Sequence, residues 1–163
     1  MNRLAPLALL LLSACGLQPL YSGGSNGSVA QALAGVEVAP IPGRNGWLVR
    51  NALKDRIAAV PEGEARYRLE IELDDKIEGF GIRRDDAITR ERRTLRARYR
   101  LTESGSGAVL VDATAGSDAG IDVVRSEYAT IAAENSAIER LAGEVADQIV
   151  GRIALYAKRA PSK

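Results

Sequence analysis

The chain has 163 residues, 22 lysines and arginines against 21 aspartates and glutamates, one cysteine and no histidine. That length holds one ordinary domain with a sizeable core, and near-zero net charge argues against a nucleic-acid partner. A single cysteine leaves no internal disulfide, and the lack of histidine removes the commonest general base and metal ligand.

Behind Arg3 runs an apolar block, Leu4 to Leu12, broken only by Pro6; Ser13 and Ala14 then lead to Cys15. A basic start, an apolar run of this length and small residues before a cleavage point describe a signal peptide, and the run is too short to span a bilayer. Leu12-Ser13-Ala14-Cys15 resembles the lipobox of bacterial lipoproteins. The resemblance implies cleavage before Cys15, a diacylglycerol thioether on its sulfur, and acylation (palmitate or similar) of the new amino terminus. An ordinary signal peptide with a leftover thiol is the plainer alternative, but it does not explain why the one cysteine stands where lipid attachment needs it. Two or more acyl chains anchor stably where one binds marginally, at about 0.8 kcal/mol per buried methylene. Gly16 follows, where an aspartate would imply retention at the inner membrane, so the outer membrane is the expected location.

Three regions follow: 1–14 as signal peptide, 15–34 as lipidated N-terminus and flexible tether, and 35–160 as a single domain. Ser22 to Ser28 is almost wholly Ser, Gly and Asn, the composition of a spacer. Val36 to Ile41 reads as a short strand ended by Pro42-Gly43. Asn45 is placed to cap a helix with the apolar stripe Val49, Ala52, Leu53, Ile57 and Val60, stopped by Pro61-Glu62-Gly63. From Ala65 the period becomes two: Ala65, Tyr67, Leu69, Ile71 and Leu73 share one face, and Arg66, Arg68, Glu70 and Glu72 the other. Asp74 to Ile88 reads as a polar connection. A second alternating strand, about 89–101, turns Leu95, Ala97, Tyr99 and Leu101 inward and Arg90, Arg92, Arg96, Arg98 and Arg100 outward. Ser104-Gly105-Ser106-Gly107 turns the chain into a third, 108–115. After a loop at 116–126 the helical period returns from about 129 to 157, on Ile131, Ile138, Leu141, Val145, Ile149, Arg152 and Tyr156, widened by Ala142 and Ile153. The expected class is α+β, in the order β-α-β-β-β-α: a four-stranded mixed sheet with two helices packed on one face.

No catalytic constellation emerges. Serine hydrolysis lacks a histidine, no Ser-x-x-Lys spacing occurs, and Gly79-Phe80-Gly81 has no following lysine or helix for a phosphate loop. Asp74-Asp75 and Asp85-Asp86 read as solvated turn residues rather than metal ligands. No enzyme activity, metal or cofactor beyond the Cys15 lipid is expected. What stands out is the arginine row: between Arg83 and Arg100 lie eight arginines, three acids and no lysine. Either these arginines pair across strands with Glu70 and Glu72 on a solvated face, or they form an anion-binding strip, since guanidinium forks match phosphate oxygens.

Three stretches together resemble the LptE group of lipopolysaccharide-assembly lipoproteins in its alphaproteobacterial form. Cys15-Gly16-Leu17-Gln18-Pro19-Leu20-Tyr21 is close to the group's cysteine-glycine-phenylalanine-glutamine-proline-leucine-tyrosine start, with leucine at 17. Thr89-Arg90 opens a strand that ends Tyr99-Arg100-Leu101-Thr102, and Ser126 to Asn135 leads into the terminal helix. The resemblance implies a non-enzymatic outer-membrane lipoprotein of the lipopolysaccharide translocon, sitting inside the LptD β-barrel subunit, assisting its assembly and binding lipopolysaccharide. Arg90, Arg92, Arg96, Arg98 and Arg100 are the candidate contacts to lipopolysaccharide or barrel. The other reading is a lipid-anchored adaptor of a different outer-membrane lipid-transport or secretion complex.

Overall fold

The structure is a computed structural model that describes residues 27–57, 65–82 and 88–159. The lipobox with Cys15, the Pro61-Glu62-Gly63 stop and the Arg83-Arg84-Asp85-Asp86 run lie outside those residues. Among the described residues seven elements follow one another: α1 (Ser28–Ala34), β1 (Val36–Val38), α2 (Gly43–Ile57), β2 (Tyr67–Ile82), β3 (Ile88–Glu103), β4 (Val109–Asp122) and α3 (Glu127–Arg159). The strands form one sheet in the order β1-β2-β3-β4, with β1 parallel to β2 and the other pairs antiparallel. This is the α+β class and four-stranded mixed sheet expected from the periodicity; the sequence leaves the strand order open.

The long hairpin is the frame. Its register runs without a shift from Tyr67↔Glu103 to Ile82↔Ile88, so two-residue alternation sorts every side chain to one face or the other. Leu69, Ile71, Leu95, Ala97, Tyr99 and Leu101 are buried on one face, with Ala115, Ala119 and Ile121 of β4 beside them. Against them lie Val49 and Leu53 of α2 and Ile138, Leu141, Val145, Ile149 and Ile153 of α3, all fully or almost fully buried. Each such side chain contributes about 1.5–3 kcal/mol relative to exposure. The 33 residues of α3 extend about 50 Å at 1.5 Å per residue, matching the 16 residues of β3 at about 3.3 Å each. One helix therefore covers the sheet from end to end. None of the described helices is long and apolar enough to cross a membrane.

The two long helices run parallel and in step. Arg44 of α2 donates to Asn135 of α3 at 2.7 Å, and twelve residues on Arg56 donates to Asp147 at 2.6 and 2.9 Å. The Arg56 hydrogen bond holds the Asp147 carboxyl below its ordinary range. Ser126 caps α3, accepting the Ala129 N–H on its hydroxyl at 3.4 Å.

Several elements depart from the sequence reading. The segment 28–34, assigned to the tether, forms α1, with Val29, Ala30 and Leu33 buried in the common core. Asn45 is not a cap: α2 already starts at Gly43, whose φ of 79° favours glycine, and Asn45 donates to Asp75 at 2.6 Å. Asp74–Ile82 and Gly116–Asp122, read as connection and loop, are continuous strand. Asp and Gly argue for turns locally, but Asp75 and Ile77 keep the inward parity of β2, and Ala119 and Ile121 that of β4.

Gly46 packs so closely on the chain before α2 that an added Cβ would sit 2.6 Å from the Ile41 carbonyl oxygen. Gly46→Ala should therefore destabilise the domain by about 1–3 kcal/mol, read from the urea midpoint, although alanine is the better helix former. Gly105→Ala, with open space around the new methyl, is the control.

Candidate partner-binding face

The helices cover one face of the sheet and leave the other to solvent. Parity places Arg90, Arg92, Thr94, Arg96, Arg98, Arg100 and Thr102 of β3 in single file along that open face, the file expected from the sequence. The register sets acids on both sides of it. From β2 come Glu70 opposite Arg100, Glu72 opposite Arg98, Asp74 opposite Arg96 and Glu78 opposite Arg92. From β4 come Asp112 opposite Arg100 and Asp122 opposite Arg90, with Asp118 opposite Thr94, two residues along from Arg92.

The ion pairs lean toward β4. Arg90 reaches Asp122 at 3.1 Å, Arg92 reaches Asp118 at 3.9 Å, and Arg98 and Arg100 converge on Asp112 at 3.5 and 3.6 Å. The hydrogen bond from Arg98, and then the charge and hydrogen bond of Arg100, pull the Asp112 carboxyl below its ordinary value. On β2, Glu70 is met instead by Arg68 at 3.2 Å and Asp74 by Lys76 at 3.2 Å. Arg96 alone of the five makes no ion pair within 4.0 Å among the described residues. Its stem lies over Gly116, where a Cβ would meet the Arg96 Cγ at 3.3 Å. At the hairpin end of the file, the guanidiniums of Arg90 and Arg92 stand 5.9 and 5.4 Å from the centre of the Phe80 ring, a cation–π arrangement.

Arg68, Lys76 and the five β3 arginines are thus matched in number by Glu70, Glu72, Asp74, Glu78, Asp112, Asp118 and Asp122. The face is a charge ladder, neutral overall, and its exposed pairs contribute little stability each. It offers fixed guanidinium forks rather than a broad positive field.

One arginine of the run is turned the other way. Arg93 shares the parity of Leu95 and is buried under α3; its Nε and Nη2 donate to Asp75 at 2.9 and 2.6 Å, and its Nη1 to the Glu134 carbonyl at 3.0 Å. Asp75 also accepts from Asn45, so one carboxylate joins β2, β3 and α2 while Arg93 extends the link to α3. Asp74 and Asp75 therefore point to opposite faces, and Asp75 is no solvated turn residue, because strand parity continues past Leu73. The doublet Arg92-Arg93, which breaks the alternation of arginines, is the signal in the sequence for an inward charge that needs an inward acid. Removing one partner of such a pair costs about 3–5 kcal/mol. Asp75→Ala and Arg93→Met should each destabilise by that order, and the double variant by less than their sum, checked by a double-mutant cycle in urea.

A second basic feature lies where β4 begins and α3 ends. A groove of about 280 Å³ is lined by Leu110, Val111, Arg152, Leu155, Tyr156 and Arg159, among others. The helical stripe foresaw Arg152 and Tyr156 as core-facing; Arg152 is instead exposed at the rim, close enough to Tyr99 to oppose the upward push of burial on that phenol.

Solved structures share the fold. A lipoprotein of Caulobacter crescentus CB15 superposes with a TM-score of 0.67 at 24% identity, covering 82% of this chain and all of that one. The rare lipoprotein B of Shewanella oneidensis gives 0.57 at 13% identity, covering 74% and 92%, and a minor lipoprotein of Acinetobacter baumannii gives 0.58 at 15%, covering 78% and 92%. No curated protein matches the sequence. The model of the LptE family, described as lipopolysaccharide-assembly, matches residues 33–153, which takes in every strand and most of α3. The chain therefore belongs to the LptE family of lipopolysaccharide-assembly lipoproteins.

Proposed function

We propose that the protein is the outer-membrane lipoprotein subunit of the lipopolysaccharide translocon, seated in the lumen of an LptD-type β-barrel, assisting its assembly and contacting lipopolysaccharide. The observation that carries this beyond family membership is the open sheet face, with five arginines in file on a rigid strand. In this reading Cys15 carries the acyl chains that hold the body at the outer membrane, and residues 16–26 link the anchor to α1.

The charge ladder defines how such a face works. A neutral face does not steer anions from a distance, so recognition is by contact. Each guanidinium engaged by one carboxylate retains further N–H donors, and a phosphate oxygen pair can take them bidentately. Arg96, without an ion pair among the described residues, is the first donor to engage. Lipid A and core phosphates, or acidic groups on the barrel wall, are the ligands this chemistry suits.

Reversing these arginines to glutamate would set like charges against Asp112 and Asp118, so glutamine is the cleaner replacement. The variant carrying Arg92→Gln, Arg96→Gln and Arg98→Gln should lose about tenfold or more in affinity for lipopolysaccharide, about 1.4 kcal/mol, with an unchanged urea midpoint. Unchanged affinity would remove these arginines from the lipopolysaccharide site. The same substitutions around the groove, Arg152→Gln with Arg159→Gln, then test the alternative location.

A further inference from the structure

The two edges of the sheet are treated differently. On β4, the Gly116 N–H donates to the Gln148 side-chain oxygen at 3.2 Å and the Gly116 carbonyl accepts from the Gln148 amide at 3.1 Å. A side chain of α3 thus occupies the middle of that edge as a neighbouring strand would. Beside it the Ser117 hydroxyl bonds to Glu144, which pins the helix there.

Among the described residues the opposite edge is open over most of its length. β1 pairs with β2 only from Val36↔Tyr67 to Val38↔Leu69. The Tyr67 N–H donates to the Gly35 carbonyl and the Leu69 carbonyl accepts from Ala39, each at 2.9 Å, so the odd residues of β2 turn their backbone groups toward β1. Pro40 and Pro42 have no N–H to continue that ladder, and the chain leaves for α2 at Gly43. The β2–β3 register holds without a shift to the hairpin end, so Leu73, Asp75, Ile77 and Gly79 direct N–H and C=O away from β3. Among the described residues nothing bonds to these groups. The result is a free edge of about 20 Å at 3.3 Å per residue.

Natural sheets shield long edges because each is a template for another strand. Here the inward charge on the edge, Asp75, is already satisfied by Arg93 and Asn45 and does not repel a newcomer. Ile77, 43% exposed, continues the apolar inner face beyond its cover.

We propose that the Leu73–Gly79 edge of β2 is a β-strand addition site for a segment of another protein that alternates apolar with basic residues. Along this stretch the outer face of β2 presents Glu72, Asp74, Lys76 and Glu78, so an added strand meets three acids and one base, and opposite charges are the favourable cross-strand pairs. Its inward side chains meet Leu73 and Ile77, which call for apolar partners. A second copy is a poor occupant: in an antiparallel dimer with its axis at Asp75, Glu72 would face the partner's Glu78 at both ends. The chain's own residues 15–26 carry no charge and cannot supply the basic side chains. This inference does not depend on the translocon reading.

The test uses the full chain in detergent micelles and a synthetic seven-residue peptide alternating valine with lysine and arginine. Hydrogen exchange should slow by tenfold or more at the amides of Leu73, Asp75, Ile77 and Gly79, while the even-numbered amides, already bonded to β3, stay as they were. A peptide with glutamate at the basic positions should bind at least tenfold more weakly. Ile77→Pro removes one edge N–H without touching the β3 ladder and should abolish binding. If that variant fails to fold, Glu72→Lys with Glu78→Lys serves instead and should reverse the preference toward the acidic peptide. Equal binding of both peptides, protection elsewhere, or a dimer protected at the same amides without peptide would each overturn the proposal.

Discussion

Along the whole length of β2 and β3 the pairing keeps one register, and every other feature depends on it. A slip of one residue would carry Leu69, Ile71, Leu95 and Leu101 to water and bring Glu70, Glu72, Arg96 and Arg100 under the helices. The apolar face is what α3 and α2 cover, and its burial supplies the main favourable term in folding. The charged face is what remains. Asp75 and Arg93 form a charged pair admitted to the covered side, and their bonds to Asn45 and Glu134 tie both long helices to the hairpin where the apolar core thins out.

The same register decides the character of the open face. Arginines from one strand stand between acids from two others, so the surface is rich in charge yet nearly neutral. Such a surface suits a partner that presents its own mixed polar wall, and it supports short-range phosphate contact better than capture from a distance. It also keeps the arginines extended and ordered, because four of the five are braced by a carboxylate of β4. The blocked edge at Gly116 and the open edge at Leu73–Gly79 add a direction to the molecule: one side is closed by its own helix, the other left available.

Much of this architecture was legible in the sequence. The alternation at 67–73 and 95–101 and the stripe from Ile138 to Ile153 gave the class, the mixed sheet and the covered face, but not the order of the strands. What stayed hidden was nonlocal. Asp74–Ile82 and Gly116–Asp122 carry turn-forming residues, and only pairing with the arginines of β3 makes strands of them. The partners of the arginine row were misjudged for the same reason: Glu70 and Glu72 were visible by parity, whereas Asp112, Asp118 and Asp122 join the face only once β4 is known to run its full length. The helix at 28–34 sits beside Gly, Ser and Asn, and it is burial of Val29 and Leu33 that makes it a helix. Arg93 was readable in principle, since its inward parity demanded the acid that Asp75 provides.

The translocon role stands or falls on the partner. The most direct measurement is to recover the tagged full chain from detergent-solubilised outer membranes and identify by mass what accompanies it. A large β-barrel subunit in equal amount is the expected result. Recovery of the chain alone, or with a different transport or secretion complex, would contradict the translocon role and point to a lipid-anchored adaptor built on the same α+β domain.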